Sequence, residues 1–478
     1  MDTKLKANPF DELIALRGGT PPVAGEVTVT GADPVYPTVF RVGDTAAAVI
    51  AGIGVAVNDL WESKTGRRQQ VAVDTRHAAA TMRTADFTYF RDATGKFEPA
   101  ALDPQMQRMR QRTQPWPTRD GRWFLPHLNL PDLSARVLGV LKCENTVEGV
   151  RDAVAQWNAD DLEDAIAAAR ACGGKVRTNA EWMAHPQGQY LAGKPLIEIE
   201  KIGDTVPIPM KPGERPLTGI RALDLTRILA GPVAARTLAE HGAEVLMVTA
   251  KHLPQTPEHV RDTSHGKRSC ILDLNQPAEA ATLKALVRDA DVFSQGYRPG
   301  VLAARGFGPE DLARLRPGIV VLTISCYGSG GPFASRAGWE QVAQTVTGIC
   351  HANGSADSGA TGKPTLIHAA ACDWITGYLG AYGVLLALTR RAREGGSYHV
   401  RVSLCQSGMF IQRQGQGVLD TSLKGLPREE AERLQIEADS PYGRMRFLRP
   451  ALQMSETQPY WAKSTPKLGG DEAKWVGA

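Results

Sequence analysis

The sequence predicts an α/β fold with a parallel, doubly wound sheet and a second, smaller α+β unit. Two observations support this. Five apolar segments typical of buried strands alternate with helical segments between residues 219 and 325. The first strand is followed by a short loop and a helix, the unit from which Rossmann-like sheets are built. Ligands of such sheets bind at the carboxyl ends of the strands, so we expect a binding site there.

The first strand–loop–helix unit spans residues 216–240. Residues 219–225 predict a buried strand, and Gly231-Pro232 opens a helix with one apolar face. A loop that leads into a helix N-terminus offers unpaired N–H groups to an anion such as a phosphate. The segment has no G-x-G-x-x-G, so it fits equally well an α/β enzyme that binds no nucleotide at this loop.

Four further strands follow. They are predicted at residues 243–248, 270–274, 291–295 and 319–325, with a helix over roughly 278–290. The loop G-Y-R-P-G follows the fourth strand at 296–300, and G-F-G-P-E-D-L-A-R-L-R-P precedes the fifth at 306–317. This alternation predicts that the strands run parallel.

A diverged internal duplication links residues 44–74 to residues 373–403, a shift of 329 positions (373 against 44). Each segment predicts a long helix rich in small residues, a C-terminal glycine (Gly66 or Gly395) and a strand. The same shift aligns Asp11 with Glu340 and Asp44 with Asp373. The sequence therefore predicts an acidic pair in both copies.

The composition excludes several classes of function. The 478 residues include 55 basic and 51 acidic residues, so nothing predicts a nucleic-acid or membrane surface. The N-terminus has no apolar leader, and no apolar run reaches the length of a membrane span. Seven scattered cysteines without C-x-x-C spacing predict reduced thiols of a cytoplasmic protein. The histidines show no metal-binding spacing, so we expect no metal.

Five ordered motifs resemble the family III CoA-transferases, the CaiB/BaiF family, which also contains α-methylacyl-CoA racemases. The motifs are G-I-R-A-L-D-L-T-R-I-L-A-G-P, H-G-K-R-S-C-I-L-D-L, G-Y-R-P-G, G-F-G-P-E-D-L and Y-G-S-G-G-P-F, between about residues 216 and 406. Residues 177–191 and 196–203 resemble the smaller-domain half of the family. The resemblance implies a CaiB/BaiF-like fold with a Rossmann-like domain and a smaller domain, here with an internal duplication.

We expect four parts along the chain. Residues 1–205 form a partial, diverged copy of the family fold, and 206–216 form a proline-rich linker. Residues 217–405 form the Rossmann-like CoA-binding and catalytic domain, and 406–478 form a small irregular lobe. Only the second copy contains the nucleotide-binding half, so only it is expected to hold CoA unaided.

Asp373 is the first candidate catalytic residue. From the sequence alone, an Asp directly before a helix is a favoured N-cap. The resemblance implies instead that Asp373 is the covalent nucleophile. A carboxylate can attack an acyl-CoA thioester to give an acyl-aspartyl anhydride, which the released thiolate converts to an aspartyl-CoA thioester.

Glu340 is the second candidate, because the resemblance places an acidic residue after an aromatic one here. We expect Glu340 to orient the substrate or to tune Asp373, since neighbouring carboxylates titrate as a pair. The alternative is a solvated acid in the first turn of a helix. Trp339 stands where the racemases of this family carry a histidine, and an indole cannot relay that proton.

The resemblance implies CoA contacts at six positions: the backbone of Leu229 and Ala230, and the basic side chains of Lys251, Lys267, Arg268 and Arg298. Basic side chains suit the 3′-phosphate and diphosphate of CoA. Plain surface charge is the alternative for Lys267 and Arg268. Lys251 is a shifted substitute for the acid and arginine that the family carries after the second strand.

The resemblance implies a cytoplasmic enzyme that moves CoA from an acyl-CoA to a carboxylic acid, usually as a homodimer. Two alternatives remain: an acyl-CoA racemase or isomerase, and a non-catalytic CoA-binding subunit. The N-terminal pair Asp11 and Asp44 would form either a second site or a degenerate copy that only packs.

Overall fold

The structure is a computed structural model that describes residues 8–100, 104–358 and 362–477. Its strands are β1 (Val27–Thr30), β2 (Val71–Asp74), β3 (Tyr89–Arg91), β4 (Phe97–Pro99), β5 (Trp116–Pro117), β6 (Trp123–Pro126), β7 (Gly173–Lys175), β8 (Glu198–Gly203), β9 (Arg221–Asp224), β10 (Glu244–Thr249), β11 (Lys267–Ile271), β12 (Val292–Gln295), β13 (Val320–Ser325), β14 (Ser397–Ser403), β15 (Gln435–Ser440), β16 (Gly443–Leu448) and β17 (Leu452–Met454).

The α-helices are α1 (Pro9–Arg17), α2 (Val42–Thr65), α3 (Thr75–Thr81), α4 (Pro104–Arg112), α5 (Pro131–Leu141), α6 (Val147–Val154), α7 (Ala159–Ala168), α8 (Asn179–Ala184), α9 (Pro186–Ala192), α10 (Ala230–Glu240), α11 (Pro257–Thr263), α12 (Pro277–Arg288), α13 (Pro309–Leu315), α14 (Glu340–Val346), α15 (Ile349–Ser358), α16 (Ala371–Glu394), α17 (Leu404–Arg413) and α18 (Arg428–Arg433). Short 3₁₀ turns occur at Thr84–Phe87 and Ala303–Arg305.

A seven-stranded sheet forms the centre of the protein, in the order β11-β10-β9-β12-β13-β14-β8. The strands from β9 to β14 pair in parallel, and β8 pairs antiparallel with β14 at the edge. The first six strands therefore have the order of a Rossmann sheet, with its switch point between β9 and β12. The predicted parallel α/β sheet is confirmed.

Apolar side chains cover both faces of this sheet. One face packs against α10 and α16, and the other packs against α12 and α13 through a cluster that includes Leu223, Phe293 and Val321. The third strand starts three residues earlier than predicted, at Lys267 instead of residue 270. The charged residues before residue 270 predict a loop there, but Lys267 is the first residue of the strand and is buried in an ion pair with Asp224.

The internal duplication is confirmed in the order and length of the elements. Helices α2 and α16 both contain 24 residues and start 329 positions apart (371 against 42). The same shift carries β2 into β14 and the start of α3 onto the start of α17. Helices α2 and α16 pack together in one apolar cluster. The Tyr382 hydroxyl of α16 also donates to the carbonyl of Leu13 in α1 at 2.8 Å. Both α2 and α16 are long and apolar enough to cross a membrane, but 94% and 100% of their most apolar windows are buried in the protein.

Two predicted boundaries differ from the structure. Strand β8 of the N-terminal part joins the edge of the central sheet instead of remaining in a separate unit. The C-terminal segment, predicted as a small irregular lobe, contains β15 and β16, which join β3 and β4, and β17, which pairs with β2. These pairings join segments that are far apart in the chain, so local patterns could not reveal them. A further small unit is formed by β5, β6 and β7 with α5, α6 and α7.

Candidate active site

A cavity of about 210 Å³ lies at the carboxyl ends of the central strands, beside the switch point. We call it the Asp373 cavity. Its walls come from the loop between β9 and α10, the loop after β12, the end of β13 and the first turns of α14 and α16. The lining residues include Thr226, Arg227, Ile228, Leu229, Ala230, Gly231, Gly296, Tyr297, Ser325, Cys326, Trp339 and Asp373.

The loop between β9 and α10 is held in a strained conformation. Ile228 has a φ of 76°, which is unusual for a β-branched residue and recurs at functional sites. Thr226 turns back onto Asp224, whose carboxylate accepts its backbone N–H at 3.0 Å. A side chain at Gly231 would lie 2.2 Å from the Cβ of Thr226, so only glycine permits this close turn. The loop thereby presents the start of α10 to the cavity.

Asp373 is the third residue of α16, and 8% of its surface is exposed. The alternative interpretation as the N-cap is wrong, because the cap residue is Ala370 and its side chain makes no capping bond. The carboxylate of Glu340 caps this helix instead. It accepts the backbone N–H of Cys372 at 3.2 Å and that of Asp373 at 2.5 Å.

Glu340 begins α14 and is only 4% exposed, so it is not a solvated first-turn acid. The side chain of Gln344, one turn later, donates to Glu340 Oε1 at 2.6 Å and to the carbonyl of Ala369 at 3.2 Å. Gln344 in turn accepts the N–H of Ile367 at 2.8 Å. This network fixes the position of the first turn of α16.

The two acids influence each other's ionisation. Burial, and then the charge of Glu340, raises the pKa of Asp373 well above its usual value. Burial raises the pKa of Glu340 to about 7, although hydrogen bonds from Gln344, Asp373 and Cys372 oppose the shift. Glu340 therefore changes charge near neutral pH, and the ionisation that Asp373 needs as a nucleophile is coupled to that change.

The N-terminal copy places its acids differently from the prediction. Asp11 is exposed, so it is not the counterpart of the buried Glu340. Asp33 takes that role, because its carboxylate accepts the N–H of Asp44 at 2.8 Å, as Glu340 does for Asp373. The carboxylate of Asp44 is held by Arg41 at 2.7 Å and does not line the Asp373 cavity.

The six positions predicted to contact CoA separate into two groups. Leu229 and Ala230 line the Asp373 cavity. Arg298 lines an adjacent cavity of about 240 Å³, the Arg298 cavity, which shares Tyr297 and Ser325 with the first. Leu229 and Ala230 therefore share a cavity with Asp373, and Arg298 lines the cavity next to it.

The other three positions lie away from both cavities. Lys267 is fully buried, and its ammonium donates to Asp224 and to the carbonyl of Pro232, both at 2.8 Å. These bonds join β11 to the end of β9 and the start of α10, and Lys267 lines neither cavity. Arg268 donates to the carbonyl of Lys474 at 2.6 Å, and Lys251 is exposed in the turn after β10.

Several residues that line the two cavities are not predicted from the sequence. Cys326 lines the Asp373 cavity, with its sulfur 4.0 Å from that of Cys405. The Arg298 cavity is lined by Gln295, Thr323 and Arg401, which are aligned across β12, β13 and β14. Polar residues interrupting the apolar strand pattern were the available signal. Within the described ranges, no group of three or more His, Cys, Asp or Glu residues is placed to hold a metal ion.

The chain is similar in sequence to known proteins. A family model described as CoA-transferase family III matches residues 4–210 and, separately, 217–418. An acyl-CoA transferase of Gibberella moniliformis is 30% identical over 404 residues, which cover 78% of this chain and 69% of that protein. The acetyl-coenzyme A transferase of Hypoxylon pulicicidum is 31% identical over 423 residues, covering 80% and 70%. A crystal structure of a CAIB/BAIF family protein from Brucella suis is 28% identical with a TM-score of 0.38, covering 42% of this chain and 56% of that one.

Proposed function

The chain belongs to CoA-transferase family III, and on that premise we propose that it moves CoA from an acyl-CoA thioester to a carboxylic acid through Asp373. The observation that carries the proposal is the position of Asp373 in the wall of the cavity formed by the first loop of the Rossmann-like sheet. A ligand bound at the carboxyl ends of the strands would meet this carboxylate.

The proposed reaction needs only carboxylates and thioesters. A carboxylate oxygen of Asp373 attacks the thioester carbonyl and the C–S bond breaks. The products are free CoA thiolate and an acyl-aspartyl anhydride. The thiolate attacks the aspartyl carbonyl and releases the donor acid as its carboxylate. The acceptor carboxylate then attacks the aspartyl-CoA thioester, the C–S bond breaks, and a second anhydride forms between the acceptor and Asp373. The released thiolate attacks the acceptor's carbonyl carbon in this anhydride, forms the new acyl-CoA and breaks the bond to the Asp373 oxygen. Asp373 is regenerated as a carboxylate.

The surrounding residues have separate roles in this proposal. Ala230 and Gly231 begin α10, so their N–H groups have no partner within the helix and can stabilise negative charge that develops in the cavity. Glu340 is a positioning residue, because it holds the first turn of α16 through the N–H groups of Cys372 and Asp373. Arg298 is proposed to contact a phosphate of CoA from the adjacent cavity.

Trp339 favours transfer over racemisation. Its indole lines the cavity beside Asp373, and an indole N–H can donate a hydrogen bond but cannot accept and return a proton. We also propose a cytoplasmic homodimer, as the family resemblance implies. The free cysteines among the described residues fit a reducing compartment.

The proposal is tested by trapping the intermediate. The protein is incubated with a panel of acyl-CoAs, treated with hydroxylamine or borohydride, and digested for mass spectrometry. We expect modification on the peptide that contains Asp373. Asp373→Ala should lose transfer on the order of 10⁴-fold while the circular dichroism spectrum is unchanged.

Asp44→Ala is the matched control, because Asp44 occupies the same position in α2 as Asp373 does in α16. It should keep full transfer activity and labelling. Transfer retained in Asp373→Ala, or label found on another carboxylate, would overturn the assignment.

A further inference from the structure

Three arginines meet where the small unit contacts the loop after β12. Arg136 lies in α5, Arg170 follows α7, and Arg298 lies in the loop. Arg298 donates to the backbone carbonyl of Arg170 at 2.8 Å, and Arg136 donates to the same carbonyl at 3.3 Å. We call these three residues the arginine cluster.

The arginine cluster has no negative partner in the part of the chain that the structure describes. None of the three guanidinium groups forms an ion pair there, although most other arginines of the protein do. Each guanidinium has several N–H donors, yet among the described residues the three groups make only the two hydrogen bonds to the Arg170 carbonyl. Most donors are therefore free for a ligand.

Electrostatics supports the same conclusion. Arg298 is partly buried, and burial, followed by the charges of Arg170 and Arg136, lowers the pKa of its guanidinium. The like charges of these neighbouring guanidinium groups repel each other unless an anion neutralises them. The shortage of negative charge is confined to this region, because the 55 basic and 51 acidic residues of the whole chain are nearly balanced.

One member of the cluster, Arg170, has an unusual backbone conformation. Arg170 has a φ of 54°, in the left-handed region that favours glycine or asparagine at the end of a helix. The turn directs the Arg170 carbonyl toward both neighbouring guanidinium groups.

The cluster lies next to the candidate active site. Arg298 lines the Arg298 cavity, and its neighbour Tyr297 lines both cavities. Leu130, the residue before α5, lines the Asp373 cavity. The small unit that supplies Arg136 and Arg170 therefore contributes to the wall of the same site.

We propose that Arg136 and Arg170 join Arg298 in binding a phosphate group of CoA. This inference rests on the proposed function, and it identifies side chains of the small unit as part of the CoA site. It also explains how the chain can bind phosphate although Lys267 and Arg268 are engaged elsewhere. Guanidinium groups suit phosphate oxygens because they offer paired, charge-assisted hydrogen bonds.

Calorimetry with three related ligands tests the inference. The ligands are CoA, dephospho-CoA, which lacks the 3′-phosphate, and pantetheine, which lacks all phosphates. We expect Arg136→Gln and Arg170→Gln each to weaken CoA binding roughly tenfold, the loss of one charge-assisted contact. Arg151→Gln is the matched control, because Arg151 is an exposed arginine of the same unit that pairs with Asp152.

The pattern across ligands identifies the phosphate. Weakening for CoA but not for dephospho-CoA assigns the 3′-phosphate, and weakening for both but not for pantetheine assigns the diphosphate. Unchanged CoA affinity in both variants, or equal losses for all three ligands, would overturn the inference. If the unmodified protein binds none of the ligands, the proposed function fails as well, so the two failures are distinguishable.

Discussion

The carboxylate of Glu340 accepts the backbone N–H of Asp373 at 2.5 Å, so an acid from α14 caps the helix that presents the candidate nucleophile. The capping bonds consume the N–H groups of Cys372 and Asp373, which are then unavailable to a substrate. In the proposed reaction, we therefore expect the N–H groups at the start of α10, which also lines the cavity, to help stabilise negative charge.

Replacing Glu340 with glutamine should move the acid limb of the pH–rate profile to lower pH. Asp373 must be ionised to attack, and the charge of Glu340 raises the pKa of Asp373. Removing that charge lets Asp373 ionise at lower pH. The measurement is kcat against pH for the unmodified protein and Glu340→Gln. Glu340→Asp keeps the charge and serves as the control, and a shift of the limb to higher pH in Glu340→Gln would contradict this coupling.

The sheet could be predicted from sequence because each central strand carries its own apolar pattern. The parallel pairing of β9 to β13 follows from alternating strands and helices, as predicted. The pairing of β8 with β14 and of β17 with β2 could not be predicted, since it depends on contacts between distant segments. Local patterns specify elements, but the chain's long-range packing selects their partners.

The candidate site shows the same division. The ordered motifs predict Asp373 and Glu340 as site residues, and the structure places the two side by side. Lys267 was expected at a phosphate, because sequence does not reveal that a cation faces a buried acid such as Asp224. Asp33 accepts the N–H of Asp44 as Glu340 accepts that of Asp373. The sequence does not predict this role, because the shift of 329 aligns Asp33 with Gly362 and not with Glu340 (362 against 33). The acid that caps the long helix therefore comes from a different position along the chain in each copy.

Lys267→Met should destabilise the protein by about 3–5 kcal/mol, because it leaves the buried carboxylate of Asp224 without a counter-charge. The double variant Asp224→Asn, Lys267→Met should recover most of that loss. Chemical denaturation of both variants measures the difference. The folded double variant should bind CoA within a few-fold of the unmodified protein. A loss of hundreds-fold would instead identify Lys267 as a phosphate ligand.

Glu240 should make stability depend on pH. Burial raises its pKa to about 8, although Arg236 and Arg215 oppose the shift. Because the pKa of Glu240 is higher in the folded state than in the unfolded state, its protonated form favours folding. This stability is fully present below the unfolded pKa of 4.5 and is lost as the pH rises through the folded pKa of about 8. The free energy of unfolding of the unmodified protein should therefore fall relative to Glu240→Gln, by up to a few kcal/mol, between pH 4.5 and 8.

Denaturant titrations at several pH values measure this difference. Glu148→Gln, at an exposed position in α6, should show no such trend and serves as the control. A constant difference between the unmodified protein and Glu240→Gln across this range would show that Glu240 ionises normally.

Gly377→Ala should reduce transfer without unfolding the protein. A Cβ at Gly377 would lie 2.5 Å from the carbonyl oxygen of Ala230 and 2.7 Å from the Cβ of Val233, so α16 must move away from α10. Gly377 is one turn after Asp373, and the displacement would carry the carboxylate away from the start of α10. A shift of about 1 Å can cost on the order of 100-fold in rate, so kcat should fall roughly 10- to 100-fold.

Gly380→Ala in the same helix is the matched control for Gly377→Ala. Its Cβ would meet only side-chain atoms, the nearest being Leu322 Cδ2 at 3.3 Å, so a small rotation accommodates it. Alanine is also favoured over glycine inside a helix by about 1 kcal/mol, so Gly380→Ala should keep its rate and its thermal stability. Because both variants add one methyl group to α16, equal rates for the two would show that the contact between Gly377 and Ala230 does not position Asp373.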